Sequence, residues 1–237
     1  MLTINRCTSW VRAVVLTAIL LIPAFSFISA QTCTWNPLGN QGFATSSSSL
    51  SMDVHPLTGE HYIAAKDGGT QKAAVWKLSG GTWTAVGPIG FSNFTINDID
   101  LAINPVTGEP YVLLTINYQS DLKASVMRYN GSSWVLVGSE AFNAGSLGSD
   151  PSIVFHPITN EPYVAYGDGN QTERLRIKRF DGVSWVDFGT FPHSIFYAYF
   201  ARLIFDPVDA TPYVVFQNGV NVNSVFNDAI SVVKYDA

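Results

Sequence analysis

The chain has 237 residues and a net charge of −5, with 13% charged and 13% aromatic residues. It carries no basic block, which argues against a nucleic-acid or anionic-membrane partner. Its length suits one all-β domain with its own core rather than several domains.

The first thirty residues differ from the rest. Arg6 and Arg12 precede an apolar run from Ala13 to Ile28, which ends in Ile28-Ser29-Ala30. That is the layout of a secretory signal peptide. The run is about sixteen residues long and contains Pro23, so it is short for a bilayer span. The sequence predicts cleavage after Ala30 and a secreted product, periplasmic in a diderm bacterium, with an uncleaved anchor as the rival. Loss of Arg6 and Arg12 leaves residues 31–237 at about −7. Cys7 departs with the signal and Cys33 remains alone, as an incidental thiol or an intermolecular bridge, so no disulfide framework holds this domain.

A repeat dominates residues 31–237. Trp35, Trp83, Trp134 and Trp185 are spaced by 48, 51 and 51 residues, and each is followed four positions later by Gly39, Gly87, Gly138 and Gly189. Phe43, Phe91 and Phe142 lie eight after the Trp, where the fourth copy has His193. Each copy then has a proline turn and a tyrosine: His55-Pro56 to Tyr62, Asn104-Pro105 to Tyr111, His156-Pro157 to Tyr163, Asp206-Pro207 to Tyr213. In the second copy the pattern predicts strands at Ile99–Asn104, Tyr111–Ile116, Ala124–Tyr129 and Ser133–Gly138. Gly59, Gly108 and Asn160 suit a left-handed slot in the first turn, whereas Ala210 predicts a different turn in the fourth copy. Gly80-Gly81, Asn130-Gly131 and Asp181-Gly182 mark the later hairpin.

Four strands at a period near 50 is the size of a propeller blade. The expected fold is therefore an all-β, four-bladed β-propeller of four-stranded antiparallel blades. Its units run approximately over residues 35–82, 83–133, 134–184 and 185–237. The last copy stops at Tyr235-Asp236-Ala237, before its Trp strand, while Thr34–Gly39 supplies one in surplus. The N-terminal strand is expected to pair in the last blade and close the ring, hiding a sheet edge. A monomer is expected, with two chains forming an eight-bladed ring as the alternative.

On these residues the chain resembles β-propeller repeat proteins over the whole of residues 31–237. Its blade length is similar to that of kelch-like propellers, without their repeated Gly-Gly doublet. Asp181-Gly182-Val183-Ser184-Trp185 looks like the Asp-box turn of sialidase-like propellers, but Asp and Gly are adjacent here rather than one residue apart. The Gly-His and Trp-Asp signature of WD-repeat blades is absent.

Residue types that recur in every copy are expected to serve the blade. His55, Asn104, His156 and Asp206 read as turn caps. Lys77, Arg128, Arg179 and Lys234 share one place and face Glu60, Glu109 and Glu161 in the turn. The innermost strands line a channel. Ser51, Asp100, Ser152 and Arg202 stand five before the turn proline, with Asp53 nearby, and Asp100 and Arg202 are expected to form a structural pair. No His/Cys metal cluster, phosphate loop or Gly-x-Ser-x-Gly elbow is found, and no cofactor is expected.

The other connections, between the second and third strands and between blades, are long and varied and should emerge on one face. Ligand-binding candidates there are Phe94, Asn97, Asp98, Asp150, Asp168, Asn170, Tyr197 and Tyr199, a set suited to hydroxyl groups and sugar faces. Asn93, Asn130 and Asn170 open glycosylation sequons. The favoured reading is a secreted, non-enzymatic module binding a glycan or protein. The alternative is a propeller-type glycoside hydrolase or lyase with a carboxylate pair at the channel mouth, Asp98 or Asp100 with Asp150 or Asp168. A structural extracellular protein is the third.

Overall fold

The computed structural model describes residues 34–148, 150–169, 174–189, 197–222 and 225–236. The signal-like segment, Cys33, Asn170 and His193 lie outside the described residues. The chain divides into two units, Met1–Leu38 and Gly39–Ala237. In the first, Thr34–Leu38 forms no strand and Trp35 is fully exposed.

The second unit is built of four antiparallel sheets. The first holds β1 (Ser48–Val54), β2 (His61–Lys66), β3 (Ala73–Ser79) and β4 (Thr82–Ala85). The second holds β5 (Ile96–Ile103), β6 (Pro110–Tyr118), β7 (Asp121–Tyr129) and β8 (Trp134–Leu136). The third holds β9 (Ser152–Phe155), β10 (Pro162–Asp168), β11 (Arg174–Phe180) and β12 (Trp185–Asp187). The fourth has three strands, β13 (Tyr197–Phe205), β14 (Pro212–Val222) and β15 (Val225–Lys234). Strands follow chain order within every sheet, and in the first three the Trp strand comes last.

The first hairpin is the same in all four sheets, for one local reason. The residue before proline receives amides of its own turn. Leu57 and Thr58 donate to His55 Nδ1, Val106 and Thr107 to Asn104 Oδ1, and Ile158 and Thr159 to His156 Nδ1; Val208 donates to Asp206 Oδ1. This satisfies donors that the turn would otherwise leave unpaired. Ala210 takes φ 59° and donates to the Asp206 carbonyl, as Gly108 does to that of Asn104. The fourth turn is thus of the same kind, against expectation, with alanine held in the left-handed region. The repeated ion pairs form: Lys77 with Glu60, Arg128 with Glu109 at 2.7 Å and Arg179 with Glu161 at 3.3 Å. The β6–β7 connection, expected to be long, is a two-residue hairpin at Gln119 and Ser120, both at positive φ.

Apolar residues of adjacent sheets meet in buried clusters. Ala64 and Val75 pack with Leu101 and Ile103; Leu113 and Val126 with Ile153; Ala165 and Ile177 with Leu203. The Trp residues brace these interfaces. Trp134 lies on Phe91 with centroids 4.0 Å apart and donates Nε1–H to the Val86 carbonyl at 2.8 Å. Trp185 repeats this with Phe142 and the Val137 carbonyl. Gly87 and Gly138 lie beneath the two rings, where a Cβ would come within 3.1 Å of Trp134 and of Trp185.

The inner strands β1, β5, β9 and β13 are joined sideways by side chains. Ser49 and Ser51 Oγ accept the amides of Ile99 and Leu101 at 3.1 Å, and Asp53 accepts that of Ile103 at 2.7 Å. Asp100 accepts the Ile153 amide, and Ser152 Oγ the Leu203 amide, both at 2.9 Å. The series stops at β13, whose corresponding residues Phe200, Arg202 and Ile204 offer no acceptor. Among the described residues β15 is the last strand of a three-stranded sheet and Leu50, Met52 and Val54 of β1 are exposed, so the expected fourth outer strand and ring closure are not among the described pairings.

Candidate active site

The inner strands β1, β5 and β9 border a cleft of about 380 Å³, lined by Ser51, Asp53, Asp100, Ala102, Ile153 and Val154. Its carboxylates differ in their commitments. Asp53 uses one oxygen on the Ile103 amide and the other on its own Val54 amide, both at 2.7 Å. Asp100 accepts Ser51 Oγ–H at 2.8 Å and the Ile153 amide at 2.9 Å. Burial pushes the Asp100 carboxyl above the usual range, and these bonds and the Arg202 charge offset part of that.

Asp98 and Asp150 stand at one level, each seven residues before its turn proline, on adjacent repeats. The backbone N–H of Asp150 donates to the Asp98 carboxylate, with Ser49 Oγ 3.5 Å away on the other side. Asp150 reaches this place with φ 50°, in the region L-residues rarely adopt. Burial raises the Asp98 pKa, and the Asp150 charge raises it further. Asp98 is thus a half-buried acid with a raised pKa, in contact with the Asp150 backbone and within reach of its charge.

Arg202 does not join the ion pairs of the described residues. Its Nη1 donates to the carbonyls of Asp150 at 3.0 Å and Pro151 at 3.3 Å, so it ties down the backbone that carries Asp150. The expected Asp100–Arg202 pair is thus replaced by a clamp on Asp150, with only a longer-range charge effect on Asp100.

The other candidates do not converge on this pair. Phe94 packs edge-on against Tyr118 at 5.1 Å, on the core. Asn97 is exposed and accepts from Asn117 at 3.1 Å. Asp168 is buried and accepts the Gly145 amide at 3.1 Å, fixing the connection before β9. Tyr199 is half-buried, 6.5 Å from the Phe200 ring. Tyr197 opens β13 opposite Gly219; its side chain and Asn170 lie outside the described residues. Sequence reasoning missed Ser49 and Ser152 as amide acceptors. The available signal was their fixed distance from the turn proline, shared with Asp98 and Asp100.

No protein-family model matches the chain, and no curated protein matches its sequence. Solved structures do match. One is a thermostable family-43 glycoside hydrolase, with TM-score 0.51 and 13% identity, covering 84% of this chain and 74% of that one. Another is the endo-arabinase of Bacteroides thetaiotaomicron VPI-5482, with TM-score 0.52 and 12% identity, covering 77% and 74%. Both are propellers, and the likeness supports that architecture for the four-sheet unit. The favoured expectation of a non-enzymatic glycan- or protein-binding module is corrected here: these fold neighbours are glycoside hydrolases, the class held as the alternative.

Proposed function

We propose that the chain is a glycoside hydrolase whose acid–base pair is Asp98 and Asp150. The observation that carries this reading is the placement of Asp98 beside Asp150: the Asp150 backbone amide donates to the Asp98 carboxylate, whose pKa is raised by burial and by the Asp150 charge. Such a pair divides the labour of glycoside cleavage. Asp98, the carboxyl with the raised pKa, serves as the acid that gives a proton to the departing glycosidic oxygen. Asp150, clamped by Arg202, supplies the negative charge that activates water or attacks the anomeric carbon. A neutral polysaccharide is the fitting substrate class, because a domain near −7 repels polyanions. The fold neighbours make arabinan the first polysaccharide to try.

The test is release of reducing sugar from a panel of neutral polysaccharides, arabinan first, by the wild type and by Asp98→Asn and Asp150→Asn. Activity that falls at least ~100-fold in both variants, with the fold retained, supports the pair. Activity untouched by both substitutions overturns it.

Two further readings accompany this one. The chain is secreted, with residues 1–30 as its signal peptide; the signal-like layout supports this and N-terminal sequencing of the exported product tests it. The fourth sheet is completed by a Thr34–Gly39 segment as its outer strand, from the same chain or from a second copy. In support, Gly39, Gly87 and Gly138 each adjoin the Trp of the next repeat, whereas Gly189 adjoins Tyr235 alone.

A further inference from the structure

The sheet-to-sheet interfaces of the four-sheet unit are built alike. One sheet presents a leading face, residues two, four and six before its turn proline. The preceding sheet meets it with a trailing face. In the second sheet the leading face is Ile99, Leu101 and Ile103, exposed by only 4–6%. Its trailing face is Ala102, Leu113, Ala124 and Val126, exposed by 0–6%.

Two such faces have no neighbouring sheet among the described residues. The leading face of the first sheet is Leu50, Met52 and Val54, exposed by 70%, 52% and 38%. The trailing face of the fourth sheet is Ile204, Val215, Ile230 and Val232, exposed by 61%, 39%, 82% and 65%. Each of these residues stands where its counterparts in the second sheet are buried. An apolar surface of this kind marks an association site.

We infer that the chain forms a closed head-to-tail dimer. The trailing face of the fourth sheet in one copy packs on the leading face of the first sheet in a second copy, and reciprocally. The occupant follows from complementarity. The chain already joins a trailing face to a leading face between its first and second, second and third, and third and fourth sheets. A second copy offers the same two surfaces and continues the series. Two copies related by a twofold axis use up both faces, so growth stops at the dimer instead of running on as a filament. None of these residues belongs to the Asp98–Asp150 pair, so this inference stands or falls separately from the hydrolase reading.

Light scattering on the chain purified after export measures its mass. Substitutions Leu50→Lys and Ile230→Lys place a charge on one face each, at exposed positions that do not carry the fold, and circular dichroism checks that the sheets persist. The wild type is expected at twice the chain mass and each variant at the chain mass. An equimolar mixture of the two variants regains dimers, because one interface still joins two unaltered faces. A monomeric wild type, which includes a chain closed on itself, overturns the inference. So does a dimer that survives both substitutions, or a mixture that stays monomeric.

Discussion

Ser152 on β9 accepts the backbone amide of Leu203 on β13 at 2.9 Å, although the two strands belong to different sheets. Both residues are buried, so water cannot take over the bond. Ser152→Ala is expected to cost about 1–3 kcal/mol, the penalty for a buried amide left without an acceptor. Urea denaturation of the two proteins measures it, and a loss well below 1 kcal/mol would mean that this bond does not help to join the sheets.

Ala210 holds φ 59° in a turn whose counterparts carry glycine or asparagine. Ala210→Gly is expected to stabilise the protein by about 1 kcal/mol, because glycine escapes the Cβ clash of the left-handed region. A thermal melt that moves down, or not at all, would contradict the assignment of this turn.

Asp100 gives a pH signature. Burial raises its pKa in the folded state, so the folded chain holds this proton to higher pH than the unfolded chain. Its contribution is fully present below the ordinary carboxylate pKa and is lost as pH rises through the raised value. Asp100→Asn keeps an oxygen for the Ile153 amide but cannot ionise. The melting temperature of the variant, relative to wild type, should therefore rise between acid and neutral pH. A flat difference would contradict the raised pKa.

The repeat made most of the fold legible. A proline turn, a tyrosine and a tryptophan recur at fixed offsets, and the turn does one physical job in every copy, as the caps at His55 and Asn104 show. Where a job was done by an unusual residue, the sequence misled. Gln119 and Ser120 make a tight hairpin without glycine or asparagine, so that connection read as a long loop. Phe94 and Asp168 lay in segments that read as surface loops, yet both turn inward, one to fill the core and one to bind an amide. The carboxylates Asp98 and Asp150 were legible as candidates because they stand in the connections that vary between copies. Their contact was not legible, since it depends on the positive φ of Asp150. The end of the sideways series was legible too: β13 carries Phe200, Arg202 and Ile204 where the other inner strands carry acceptors.

The most direct measurement compares two substrates on one variant. If Asp98 protonates the leaving oxygen, its proton matters little when that oxygen departs easily as an anion. Asp98→Asn should lose at least ~100-fold in kcat/KM on the polysaccharide while keeping most of the wild-type rate on a dinitrophenyl glycoside of the same sugar. Equal losses on both substrates, or no loss on either, would contradict the role given to Asp98.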